Sequence, residues 1–256
     1  MSLAKACRIL EVFEGQEPEL NLSELSRLTN LDVGTVHRLV RTLVGLGYLQ
    51  RVENAKRYRL GLKVVDLGFN ALGRIEVQSL ARPILLSLIS PGIGTASVAV
   101  MSGTQAQYIE RVHVGLAAFG VARGIGSRVP VYCSAVGRAI LAFLPPKRRL
   151  EILGSEERIK LTPYTVVSIP EIERRLEDVR QQGYVFCDQE IIPGIRALAA
   201  PVLNSKGHPV ASLSVSAPSF ASSAEDFVAY TAPRVVDAAR SLSEKVNAAP
   251  AAASHQ

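Results

Sequence analysis

Two sets of residues in this 256-residue chain have types and spacings suited to chemistry. The first is cationic. Residues 32–63 hold Arg38, Arg41, Arg51, Lys56, Arg57, Arg59 and Lys63 against Asp32 and Glu53, a local balance of +5, while residues 1–31 carry five acidic and three basic side chains. A compact basic block suits a polyanion such as a nucleic-acid backbone, although the plainest reading of any charge run is a solvated face. The second set is neutral. Ser134 precedes a helical run, and Ser214 and Ser216 alternate along a β-prone run, so both hydroxyls fall on one face. A helix start offers unpaired N–H groups and the positive end of the helix dipole to a carboxylate. Two hydroxyls on an inner face need partners, which a bound anion supplies; on an outer face they need none.

Other chemistries find no support in the spacing. Cys7, Cys133 and Cys187 are far apart with no Cys-x-x-Cys, and the four histidines are dispersed, so neither a metal site nor a disulfide framework is expected. A nucleophilic cysteine at 133 or 187, with His113 or His208 as base, needs that base beside the thiol, and no local arrangement provides it. Packing is the simpler role for both thiols. There is no phosphate-binding glycine loop and no His-Glu-x-x-His. No catalytic residue and no cofactor is therefore expected, and a module that only assembles with other proteins would have little use for the basic block.

That block sits on recognisable elements. Ala4 to Phe13 reads as a helix with Ile9, Leu10 and Phe13 on its buried side. Leu22, Leu25 and Leu28 recur at three-residue spacing on one face of a second helix, with Asn21 as its cap and Glu24 closing a capping box. Asn30-Leu31-Asp32 is a turn, and Val33 to Leu46 a third helix ended by Gly45 and Gly47. On its wheel Val36, Leu39, Val40 and Leu43 fall together, Thr35, Arg38, Arg41 and Thr42 fall opposite, and His37 lies at the boundary. Tyr48 to Arg51 and Arg57 to Leu60 flank a polar turn at 53–55, which makes a hairpin. Helix, turn, helix and hairpin in this order predict a winged helix-turn-helix. Thr35, Val36, His37, Arg38 and Arg41 would then meet a major groove, and Lys56, Arg57 and Arg59 the adjacent phosphates.

Val64 to Leu80 is amphipathic, a linker helix or the first helix of a second domain, and Arg82-Pro83 opens another helix to Ile89. Thr95–Met101 and Gln107–Val112 form a hairpin around Ser102-Gly103-Thr104, Ala117–Ala122 is a third strand, and Gly124 to Pro130 is a loop. Ser134 caps a helix reaching Leu144, and charged helices follow over Pro146–Leu153 and Pro170–Gln182. Gly183–Phe186, Ala197–Leu203 and Val210–Ser216 are strands, and Ala224–Lys245 is a closing helix. The expected organisation is a winged-helix domain over 1–63, a linker over 64–80, an α+β domain over 81–246 and a loose tail over 247–256. At 48% hydrophobic and 20% charged residues, the chain can fill two cores. No run of 18 apolar residues and no secretory signal occur, and unpaired cysteines suit a reducing cytoplasm.

In this order the motifs resemble the isocitrate-lyase-regulator (IclR) family of bacterial transcription regulators over residues 3–246. In the first domain the resemblance rests on Leu22-Ser23-Glu24-Leu25, Thr35-Val36-His37-Arg38-Leu39, Leu46-Gly47-Tyr48-Leu49 and Tyr58-Arg59-Leu60-Gly61. In the second it rests on Gly126-Ser127-Arg128-Val129-Pro130, Cys133-Ser134-Ala135-Val136-Gly137-Arg138-Ala139, Pro193-Gly194-Ile195-Arg196 and Ser212-Leu213-Ser214-Val215-Ser216. It implies a winged helix-turn-helix, a linker helix and a GAF-like effector-binding domain. It also implies a repressor or activator that binds a double-stranded DNA operator as a homodimer or homotetramer, without a membrane, under control of a small organic acid. The implied effector pocket uses Ser134, Ala135, Val136, Gly137, Cys187, Ala197, Ser214 and Ser216. Members that bind glyoxylate or pyruvate have Asp where Cys187 stands and Cys where Ala197 stands. Those exchanges remove a charge and shrink the pocket wall, implying a larger or more aromatic acid than a two-carbon one. Tyr132-Cys133-Ser134, Gly137-Arg138 and Asp188-Gln189-Glu190 resemble members that govern aromatic-acid and β-ketoadipate catabolism.

Overall fold

A computed structural model describes residues 2–14, 19–52, 55–72, 76–114, 124–155 and 157–248. The chain divides into two compact units, residues 1–74 and 75–256.

In the first unit α1 (Ser2–Glu11) runs into a 3₁₀ turn at Val12–Glu14, and β1 (Leu20–Asn21) leads into α2 (Leu22–Thr29). The capping box forms: Asn21 Oδ1 accepts from Glu24 N at 2.9 Å, and the Glu24 carboxylate accepts from Asn21 N at 2.8 Å. The buried face of α2 differs from the expected one. Leu28 is 46% exposed, and Thr29 is buried in its place. Each three-residue step lags the helical turn by roughly 60°, so Leu28 rotates off the Leu25 face and Thr29 rotates onto it. The Thr29 hydroxyl donates to Leu25 O at 2.6 Å. Asn30, at φ 53°, ends α2 in the left-handed region that asparagine tolerates.

Asp32 caps α3 (Val33–Gly45), accepting from Thr35 N at 2.8 Å. β2 (Leu49–Arg51) and β3 (Arg57–Leu60) make the expected hairpin, and β1 pairs with β3 to give the order β1-β3-β2. Ile9, Phe13, Leu20, Leu25, Val36, Val40, Leu43 and Leu49 form the core of this unit. It ends with α4 (Lys63–Leu72).

Where one helix was expected over 64–80 there are two, α4 and α5 (Glu76–Leu88), with residues 73–75 outside those described. Pro83, expected to start a helix, lies inside α5, where it removes one i→i−4 hydrogen bond. The second unit continues with β4 (Thr95–Ser102), β5 (Gln105–His113), β6 (Arg128–Pro130), α6 (Ala135–Leu141), α7 (Pro146–Ser155) and α8 (Ile169–Gln182). β7 (Val185–Asp188), β8 (Ile195–Leu203), β9 (Pro209–Pro218) and α9 (Ala224–Ala248) complete it. The strands form an antiparallel sheet in the order β6-β5-β4-β9-β8-β7. Residues 128–130, expected in a loop, form the edge strand β6, and α6 stops three residues short of Leu144. The strand expected over Ala117–Ala122 lies outside the described residues.

One face of the sheet packs Ala99, Ala106, Val185, Cys187 and Ala199 against α6 and α8. The other face takes α5 and α9. There Glu110 of β5 accepts from Arg82 of α5 at 2.9 Å, and Leu203 N donates to Ser243 Oγ of α9 at 2.9 Å. An antiparallel sheet with helices on both faces is the α+β architecture expected.

Candidate functional site

In the first unit the cap at Asp32 and the core behind α3 decide what the helix presents. His37, Arg38, Arg41 and Thr42 are exposed along one side, and Thr35 is half-buried and within reach of Arg38 Nη2 at 3.3 Å. Hydrogen bonds from Thr35 hold the Asp32 carboxyl below its usual value, keeping the cap ionised. Val36 does not share this exposure. It is 0% exposed and sealed in the core, so it seats the helix instead of touching a partner.

The hairpin cations also divide. Lys56 is exposed, and Arg59 is exposed beside Gln50 Oε1 at 3.2 Å. Arg57 instead donates to Glu19 O at 2.6 Å and to Glu24 Oε1 at 3.1 Å, binding the hairpin to the start of α2. Lys63 donates to Leu46 O at 3.1 Å and lies 5.0 Å from the Tyr48 ring centroid. The charge count of the block therefore includes cations already engaged within the fold.

In the second unit the registers arrange the sheet face beneath α6 as a grid. Across β5, β4, β9, β8 and β7, one row reads His113, Thr95, Ser216, Ala197, Cys187 and the next Arg111, Ser97, Ser214, Ala199, Val185. A third row reads Tyr108, Ala99, Ser212, Pro201. The expected Cys187, Ala197, Ser214 and Ser216 thus share one face, with Ala197 paired to both Cys187 and Ser216. Ser214 is buried and Ser216 half-buried. The buried Ser212 hydroxyl has no hydrogen-bond partner among the described residues.

Thr95, Ser97, Tyr108 and Arg111 belong to the same face and were missed from sequence. The alternation of Thr95 and Ser97 held a readable signal. Tyr108 and Arg111 are three residues apart and meet only because β5 carries an extra residue opposite the Val98/Ala99 step. The Arg111 guanidinium lies 4.8 Å from the Tyr108 ring centroid. Partial desolvation, and secondly the charge of Arg111, hold His113 below the usual histidine value and so uncharged at neutral pH.

Ser134 proves to be framework. Its hydroxyl donates to Pro130 O at 2.6 Å and accepts from Gly137 N at 3.1 Å, closing the cap of α6. Ala135 and Val136 are buried in the core between α6 and the sheet. Gly137 permits backbone contact: a Cβ there would stand 2.3 Å from Val131 Cα. Arg138, 1% exposed, donates through Nε to Tyr132 O at 2.7 Å and through both terminal nitrogens to Glu190 at 2.5 and 2.7 Å. Glu190 also accepts from Val166 N at 3.1 Å, and Thr165 Oγ1 donates to Glu190 O at 2.6 Å. This network holds the turn after Cys187, where Gln189 adopts φ 60°. Arg196 braces the same turn through Asp188 at 2.8 Å. The Cys187 thiol is pushed up to about 12, chiefly by burial, so no thiolate exists there at neutral pH and a nucleophilic role fails.

Residues 2–53 match the family profile described as the IclR helix-turn-helix domain, and residues 69–244 match the bacterial transcriptional regulator IclR C-terminal profile. The chain belongs to the IclR family. This IclR-family chain is 34% identical to the HTH-type transcriptional regulator XynR of Escherichia coli K12, over 84% of this chain and 85% of that protein. It is similar to the Thermotoga maritima IclR crystal structure, with a TM-score of 0.79, 26% identity and 96% and 98% of the two chains covered. A crystal structure of an IclR homolog from Microbacterium hydrocarbonoxydans complexed with 4-hydroxybenzoate gives a TM-score of 0.85 at 25% identity, covering 97% of this chain and 100% of that one. The IclR-family chain is thus a helix-turn-helix transcriptional regulator with a C-terminal effector-binding domain. Among its described residues no helix is long and apolar enough to cross a membrane, and no cluster of His, Cys, Asp and Glu could hold a metal.

Proposed function

We propose that this regulator grips operator DNA through the exposed side of α3, and that a small organic acid of aromatic size, seated on the sheet face beneath α6, sets the strength of that grip. Arg38 and Arg41 lead at the groove with Thr35 and His37 beside them, while Lys56 and Arg59 meet the flanking phosphates. The observation that carries this is the two-sidedness of α3: Val36, Val40 and Leu43 sealed in the core, and His37, Arg38, Arg41 and Thr42 outward. A single winged helix makes few base contacts, so two or more copies act together on paired half-sites.

For the effector, the neutral Cys187 thiol does not repel an acid as a carboxylate would, and Ala99, Ala197 and Ala199 leave a flat apolar floor beside Ser214 and Ser216. The 4-hydroxybenzoate bound by the Microbacterium relative supports an acid of this size.

Gel retention on the intergenic DNA beside the protein's own gene tests the DNA half. Arg38→Ala should abolish retention while circular dichroism and the oligomeric state stay unchanged; undiminished retention overturns the placement of α3. A thermal-shift screen of aromatic and aliphatic acids tests the effector half. The Ser214→Ala/Ser216→Ala double variant should weaken any hit, and indifference to it overturns the pocket.

A further inference from the structure

We infer that Gln50 is a base reader: held by Arg59, its amide offers the DNA only N–H donors, and so selects A·T over G·C pairs in the minor groove beside each half-site that α3 grips. This rests on α3 being the groove-reading helix, and it adds to that reading a specificity-determining residue on the hairpin.

Gln50 of β2 and Arg59 of β3 pair directly across the hairpin, and both side chains are exposed. Side chains alternate along a strand, so this pair lies on the face turned away from buried Leu49 and from Tyr58, which packs against the core. Gln50 Oε1 accepts from Arg59 Nε at 3.3 Å and from Arg59 Nη2 at 3.2 Å. A guanidinium has donors and no acceptor, so only the carbonyl arm of the amide can turn toward it. Both lone pairs of that oxygen are then taken. The Nε2 arm of Gln50 has no partner among the described residues, and neither has Nη1 of Arg59. Arg59 thus keeps its outer edge for the flanking phosphate while its inner edge sets the amide of Gln50.

A free glutamine can donate or accept and suits either kind of base pair. The contact with Arg59 removes the accepting half. In the minor groove an A·T pair shows only acceptors, whereas G·C adds the exocyclic amino donor of guanine. Donor against donor leaves two desolvated N–H groups unpaired, so G·C is rejected. The path of the chain indicates the groove. α3 ends at Gly45, and Tyr48 N donates to Leu43 O at 2.9 Å, so the helix turns straight into β2. A hairpin that starts where a helix leaves the major groove meets the minor groove across one sugar–phosphate strand.

The test uses the full-length protein and the duplexes it selects from a randomised pool, with affinities read by fluorescence anisotropy. Each flanking A·T pair is replaced by G·C, by inosine·C, which lacks the amino group of guanine, and by diaminopurine·T, which adds that group to A·T. At one or more flanking positions the wild type should lose about fivefold or more in affinity with G·C and diaminopurine·T, and less than about twofold with inosine·C. Gln50→Ala should bring all four pairs within about twofold of one another. Gln50→Glu, which leaves Arg59 an acceptor but carries no donor, should no longer favour A·T. Arg59→Ala should abolish the preference by freeing the carbonyl, and lower the slope of log affinity against log salt by about 1. The role of Gln50 is overturned if the preference survives Gln50→Ala or Gln50→Glu, if inosine·C is penalised like G·C, or if the wild type binds all four pairs alike, while Arg38→Ala still abolishes binding. If no duplex is selected, or Arg38→Ala binds undiminished, the placement of α3 fails and this assignment falls with it.

Discussion

Arg138 and Glu190, 52 residues apart, meet as a two-pronged ion pair at 2.5 and 2.7 Å with side chains 1% and 3% exposed. The pair joins the first turn of α6 to the turn that follows Cys187. Neither partner can be removed alone without leaving a buried charge. Arg138→Met or Glu190→Gln should each destabilise the second unit by about 3–5 kcal/mol, and Arg138→Met with Glu190→Leu should recover most of that loss. Urea unfolding followed by far-ultraviolet circular dichroism checks it; single and double variants of equal stability would show the pair to be energetically idle.

Gly137 and Gly154 make a matched contrast. A Cβ at Gly137 would stand 2.3 Å from Val131 Cα and 2.7 Å from Val131 O, both backbone atoms that cannot yield cheaply. At Gly154, in α7, a Cβ meets nothing within 4 Å. Gly137→Ala should therefore cost about 3 kcal/mol, whereas Gly154→Ala should gain up to about 1 kcal/mol by restricting the unfolded chain. Thermal melts of the two variants should shift in opposite directions.

Neighbouring cations in the hairpin should behave differently. Lys56→Ala should leave stability unchanged and reduce the slope of log affinity against log salt by about 1, the signature of one lost phosphate contact. Arg57→Ala removes bonds to Glu19 O and Glu24 and should cost about 1 kcal/mol of stability, discounted because the side chain is partly exposed. Filter binding at several salt concentrations, alongside melts, separates the two.

Burial should also sort the thiols. Cys7 is exposed, and Cys133 and Cys187 are buried. Brief iodoacetamide treatment of the native protein at pH 8 should alkylate one cysteine per chain, and mass spectrometry should find it at Cys7. The Cys187 thiol is raised from 9.0 to about 12, so its contribution to stability is complete below pH 9 and declines as pH rises toward 12. Cys187→Ala should flatten that alkaline decline, and an unaltered alkaline profile would contradict the assignment.

Local patterns were legible and distant ones were not. The outward residues of α3 follow from a 3.6-residue period, the cap of α2 from Asn21 and Glu24, and the Thr95–His113 hairpin from alternation around Gly103, because each is set within a few residues. β1 is two residues long and exists only by pairing with β3, so its own sequence holds no sign of it. β6 likewise depends on Gln105–Gln107. Pro83 reads as a helix boundary, yet α5 carries through it because Ala81, Ile84, Leu85 and Leu88 are buried on both sides of the break it would have made. On the sheet face beneath α6, the shared side of Ser214 and Ser216 was readable from alternation alone. Arg111 was not, since Ile109 shifts the period-two count between Tyr108 and Arg111. Val36 was misassigned because adjacency to Thr35 and Arg38 in sequence is not adjacency on a helix surface.

The winged helix-turn-helix closes its hydrophobic interior with its own residues, from Ile9 to Leu49, and the sheet domain closes a different one from Ala99 to Ala199. Substitutions that alter which metabolite is recognised therefore leave the nucleotide-reading surface intact, and the reverse holds too. Gene fusion could exchange either half as a self-sufficient cassette, so that descendants of one ancestor come to answer different nutrients at an inherited promoter.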